Sequence, residues 1–146
     1  MTDATMPGLI DSHCHLDHFS DEELPVLLDA ARAAGLEGMV TIGTRLSNAS
    51  QQKRLTGFSR PDMRVWCTVG THPDHVEETP VPQAQDIVAL ADAPEVSGLG
   101  ETGPASFHGQ AQVRPPPQQS FRRHTGAARE LDLAGSLHAR PSDADV

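Results

Sequence analysis

Short apolar segments alternate with helical patterns about every 30 residues along this chain, the signature of successive βαβ units and a parallel sheet. Leu9-Ile10 leads into Asp11 to His15 as a first strand. Met39 to Ile42, Arg64 to Val69 and Glu95 to Gly100 read as the next three, and Ala134 to Leu137 as a weak fifth. Between the first two strands, Ser20-Asp21-Glu22-Glu23 fits a capping box ahead of Leu24, Leu27, Leu28 and Ala31, whose spacing makes one apolar helical face. Pro25 moves the expected helix start toward Leu24, and Gly35 is a natural stop. Ala49 to Thr56 reads as a short, poorly amphipathic helix and Pro82 to Ala91 as a third. Gln118 to Leu131 reads as a fourth, with Phe121, Ala128 and Leu131 on its apolar side. Pro115-Pro116-Pro117 is expected to form a stiff extended connection that precedes this helix without joining it. Gly126 weakens the same helix from inside, by about 1 kcal/mol relative to Ala.

At 146 residues the chain has the size of one domain, expected to run from residue 1 to residue 146. Its 3% aromatic content leaves core packing to Leu, Val, Ala and Ile. With 11 Lys+Arg against 20 Asp+Glu and a net charge of -9, it has no broad basic face for holding nucleic acid, so any phosphate chemistry needs metal ions to supply positive charge. Cys14 and Cys67 lie in apolar, strand-like stretches and read as reduced, buried thiols. No apolar run approaches the roughly 20 residues of a membrane span, and the expected location is the cytoplasm.

The sharpest local feature is Asp11-Ser12-His13-Cys14-His15-Leu16-Asp17. In an extended segment Asp11, His13, His15 and Asp17 share one side, so two imidazoles can reach one divalent cation while a carboxylate orients one of them. Gly98-Leu99-Gly100-Glu101-Thr102-Gly103 places a carboxylate just beyond the fourth strand, where flanking glycines permit close backbone approach and the carboxylate can bridge two cations. His138 follows the fifth strand. His72, in Thr71-His72-Pro73, follows the third, where it either faces substrate or stabilises the turn before Pro73. His18 and His75 read as polar loop residues, and His108 and His124 as solvated. Together the strand ends make a metal site at the carboxyl end of a parallel barrel or sheet.

These motifs, with the Phe121-Arg122-Arg123-His124 helix before Leu137-His138-Ala139-Arg140, resemble the TatD family of metal-dependent deoxyribonucleases in order and spacing over almost the whole chain. The resemblance implies a TIM-type (β/α) barrel of the amidohydrolase kind, represented by about its first five strands. It implies that His13 and His15 ligate one metal, Glu101 bridges two as the catalytic carboxylate, and His138 ligates the second. The implied cofactor is one or two divalent ions (Mg, Mn or Zn), and the implied partner is DNA or another phosphoester. The family's Leu-Asp-aromatic after Gly-Glu-Thr-Gly is replaced by Pro104-Ala105-Ser106, and its apolar fifth strand by Ala134-Gly135-Ser136. A His after the family's sixth strand and an Asp after its eighth fall beyond Val146, with roughly three of the eight β/α units. The expected function is therefore a phosphodiesterase of the DNase type. The alternative is a non-catalytic barrel fragment with a partial metal site, self-associating through its open sheet edges. A structural zinc site is disfavoured, because Cys14 alternates away from the two histidines and no C-x-x-C is present.

Overall fold

The computed structural model describes residues 8–104 and 115–139. Five strands, β1 (Leu9–Cys14), β2 (Leu36–Thr41), β3 (Arg64–Val69), β4 (Val96–Thr102) and β5 (Ala134–Leu137), pair in parallel and in chain order to form a curled half-barrel. Helices α1 (Glu23–Ala33), α2 (Ala49–Leu55), α3 (Ala84–Ala91) and α4 (Pro115–Leu131) fill the four crossovers. Parallel neighbours require such crossovers, so the alternation read from sequence becomes the architecture.

The helices cover one face of the sheet through two apolar clusters. One joins Leu24 and Leu28 of α1 to Met39, Leu55, Met63 and Val65. The other joins Cys67, Val69 and Leu99 to Ile87 and Ala91 of α3 and Ala127 of α4. The opposite, concave face carries Ser12, Val40, Thr68 and Ser136 around a cavity of about 340 Å³. Gly38 belongs to this face by necessity, since a Cβ there would meet the Trp66 ring at 2.6 Å and Ile10 at 2.8 Å.

The capping box forms as expected: the Ser20 N–H donates to Glu23 Oε2 at 2.8 Å and the Glu23 N–H to Ser20 Oγ at 3.3 Å. Pro25 sits in the first turn of α1, where no N–H is needed. The same physics corrects the reading of the proline run. Pro115, Pro116 and Pro117 open α4 itself, because the first helical positions have no intrahelical use for an N–H. The buried side of α4 also differs from the expected one, being Pro117, Ser120, His124 and Ala127, while Ala128 and Leu131 pack more shallowly. Strand β4 runs on through Glu101 and Thr102, so the glutamate lies within the strand. Cys14 and Cys67 are free thiols. Among the described residues no helix is long and apolar enough to cross a membrane.

Candidate metal centre

The carboxyl ends of the five strands are tied to one another by backbone hydrogen bonds. The Ile42 N–H donates to Cys14 O (2.9 Å), His72 N–H to Thr44 O (2.8 Å), Glu101 N–H to Gly43 O (2.6 Å) and His138 N–H to Thr102 O (2.8 Å). The Thr68 hydroxyl completes the lacing, donating to Gly100 O at 2.7 Å and accepting from the Gly43 N–H at 3.1 Å. Glycine is required where these ends converge: a Cβ on Gly70 would lie 2.6 Å from Gly100 Cα, and Gly100 itself has φ of 135°.

Glu101, 92% buried, is the hub of the side chains that this lacing brings together. Its Oε1 lies 2.9 Å from His138 Nδ1 and its Oε2 3.7 Å from His13 Nε2. The rings of His13 and His15 meet edge to face at 5.3 Å, and His72 lies 4.3 Å from His138. All five residues singled out from sequence, His13, His15, His72, Glu101 and His138, therefore converge. Among the described residues, His13, His15 and Glu101 bring one donor atom each to within 4.8 Å of one another, and so do His72, Glu101 and His138. His15, Asp17 and His18 form a third such group.

Local structure explains how β1 delivers its two histidines. The strand ends at Cys14 and passes into a 3-10 turn, Leu16–His18, so Asp17 reaches the site from the turn and not from the strand. The turn is held by the buried Thr41 hydroxyl, which accepts from the Leu16 N–H (3.2 Å) and donates to Gln52 Oε1 (3.0 Å). Gln52 is buried on α2, which is why that helix lacks a clean apolar face. Asp11 acts from the opposite end, accepting the His13 N–H at 3.0 Å. Cys14 is turned to β2, its thiol donating to Val40 O at 3.3 Å. Burial, reinforced by Asp11 and Asp17, pushes that thiol up to about 12.

Two expectations change here. His124, expected to be solvated, is 1% exposed. Its Nδ1 lies 2.8 Å from Ser120 O and its Nε2 accepts the Thr71 N–H at 3.1 Å, so it fixes the loop that carries His72. His75, read as a polar loop residue, is engaged with Glu78 Oε1 at 2.9 Å and Arg45 Nη2 at 3.2 Å. His72 itself caps the turn Pro73–His75, its Nδ1 accepting the Asp74 N–H at 3.0 Å. Burial, with the nearby His138, lowers its affinity for a proton. His108 lies outside the described residues.

The donor set of imidazoles around one buried carboxylate suits a divalent cation. His15 Nδ1 and Asp17 Oδ1 are buried without a hydrogen-bond partner, so the residues present fit such an ion. A cavity of about 350 Å³ opens over them, lined in part by His15, His72 and Glu101.

Residues 10–146 match the family described as TatD related DNase. The chain is 31% identical over 137 residues to the 3'-5' ssDNA/RNA exonuclease TatD of Cronobacter turicensis, covering 94% of this chain and 49% of that protein. It is 32% identical over 114 residues to the protein of that name from Pantoea vagans, covering 78% of this chain and 43% of that one. The crystal structure of the TatD homologue YJJV from Escherichia coli superposes with a TM-score of 0.79 at 23% identity, covering 94% of this chain and 52% of that chain. The likeness establishes a shared fold. The chain thus spans about half the length of the relatives it matches.

Proposed function

Because the chain belongs to the TatD related DNase family, we propose that it is a divalent-metal-dependent hydrolase that cleaves phosphodiester bonds in DNA. The observation that carries this reading is the position of Glu101, a buried carboxylate with His13 on one oxygen and His138 on the other. In this reading His13, His15 and Glu101 would hold one ion, and Glu101 with His138 would hold a second. The ion supplies Lewis-acid polarisation of a phosphoryl oxygen. Mg, Mn and Zn are the candidates, in one or two copies.

The chain's own groups do the rest. Glu101 fixes the ring of His138 through the 2.9 Å contact at Nδ1. His72, locked by His124 through Thr71 and by Asp74, presents its ring beside His138 and binds the substrate. Asp17 and His18 complete the wall on the His15 side. A cytoplasmic location accords with the absence of a spanning helix among the described residues.

The test is release of nucleotides from single-stranded DNA across a series of Mg²⁺, Mn²⁺ and Zn²⁺. Turnover that disappears in H13A/H15A and E101Q supports the reading. No turnover with any of these ions, in a protein that still takes up metal, favours the alternative of a non-catalytic half-barrel, for which the 49% coverage of a full-length relative is the motivating observation.

A further inference from the structure

We propose that Arg45, on the rim of the cavity above Glu101, is a subsite for a nucleic-acid phosphate adjacent to the one being cut. This rests on the nuclease reading and deepens it. In a chain of net charge -9, a polyanion needs a local cation to approach the site. The lining of the 350 Å³ cavity includes His15, His72 and Glu101, and Arg45 is its permanently charged cation among the described residues.

Arg32, Arg54 and Arg60 are committed elsewhere, to Asp62, Asp21 and Asp29 on the helical side of the sheet. Arg45 differs in how it is held. Its backbone follows Thr44, whose carbonyl accepts the His72 N–H, so it is one residue from the lacing that positions the site. Glu78 grips the side of its guanidinium, taking Nε at 2.8 Å and Nη2 at 3.1 Å, and His75 Nδ1 lies 3.2 Å from the same Nη2.

Nη1 enters none of these bonds. A guanidinium clamped along one edge loses less freedom when its remaining donors take an anion, and its planar fork suits phosphate oxygens better than an ammonium does. Glu78 is thus a positioning residue, and Arg45 the contact. The Arg45 and His75 pair joins the loop after β2 to the loop after β3, so the phosphate would lie against both.

The test reads binding with the strand uncut: fluorescence anisotropy of a labelled single-stranded oligonucleotide with Ca²⁺ as the cation, the oligonucleotide verified intact by gel. For R45A the expected result is about tenfold weaker binding, with the slope of log Kd against log salt reduced by about 0.7, the value for one phosphate contact on a single strand. R45K should regain the slope and only part of the affinity. A neutral methylphosphonate scanned along the strand should weaken wild type at one linkage and have no further effect there in R45A. Circular dichroism checks that each variant is folded, and R45Q stands in should R45A fail to fold. Unchanged affinity and slope in R45A, while wild type binds, would overturn the subsite alone. A wild-type chain that binds no oligonucleotide would overturn the nuclease reading together with it.

Discussion

Replacing His124 by alanine tests whether a buried imidazole holds the site together. The ring is 1% exposed and bridges Ser120 O and the Thr71 N–H. Its removal leaves the Thr71 N–H buried without a partner, at about 1–3 kcal/mol, and opens a ring-sized void in a packed interior. Together these predict a loss of roughly 3–4 kcal/mol, a fall in Tm on the order of 10 °C for a chain of this size. The loss should also depend on pH. Burial lowers the proton affinity of His124 below the ordinary value of 6.5, although its bond to the Ser120 carbonyl pulls the other way. The unfolded chain therefore takes up a proton near pH 6.5 that the folded chain refuses. The stability that His124 contributes is complete above that pH and declines as pH falls below it, by up to about 1.4 kcal/mol per pH unit. Urea unfolding of wild type and H124A at pH 7.5 and 5.5 should show the gap between them shrinking at the lower pH. His72, also held with lowered proton affinity, rides on the loop that His124 fixes, so the comparison is repeated in an H72A background to remove its titration. A gap that is the same at both pH values, or a Tm loss under 2 °C, would refute the account of His124 as a neutral, doubly bonded ring.

The remaining predictions follow from geometry already described. G126A should raise stability by about 0.5–1 kcal/mol, because a Cβ there meets only Ala84 Cβ at 3.9 Å and a helical glycine is entropically costly; thermal melting reads it. G70A, by contrast, puts a Cβ 2.6 Å from the Gly100 backbone and should cost more than 2 kcal/mol while misplacing Glu101, so both Tm and metal uptake should fall. Burial pushes both thiols up to about 12, so a thiol reagent at pH 8 should label neither Cys14 nor Cys67 quickly in the folded protein and both after denaturation. The edge strands β1 and β5 expose Leu9, Ile10 and Leu137. We therefore expect concentration-dependent association in sedimentation experiments, and a compact monomer at all concentrations would count against it.

The order of strands and helices was legible because each element carries its own period: Leu24, Leu27 and Leu28 mark α1, and Arg64 to Val69 mark β3 without help from distant residues. The five candidate site residues were legible because a parallel sheet sends every strand end to the same side, so His13, His15, His72, Glu101 and His138 had one place to meet. What escaped were residues whose role depends on a far partner. His124 finds the Thr71 N–H 53 positions away, and a helix face of Ser120 and His124 looks solvated until that partner is known. Gln52 is buried for the same reason, through Thr41. The proline run was misread because extended and first-turn helical positions make the same demand, the absence of an N–H.

The four backbone bonds that lace the strand ends bear on which insertions this fold can accept. Each binds a residue at or just beyond one strand end to a carbonyl on another chain segment, and three of the donors, at His72, Glu101 and His138, belong to candidate site residues. A residue added near the carboxyl end of β2 would disturb the bonds to His72 and Glu101, and one added near the carboxyl end of β4 those of Glu101 and His138, displacing two of these side chains at once. At the opposite edge of the sheet, around Gly35, Asp62 and Asp92, no site residue is attached. Length variation should therefore accumulate at the amino ends of the strands, leaving the carboxyl ends fixed in spacing.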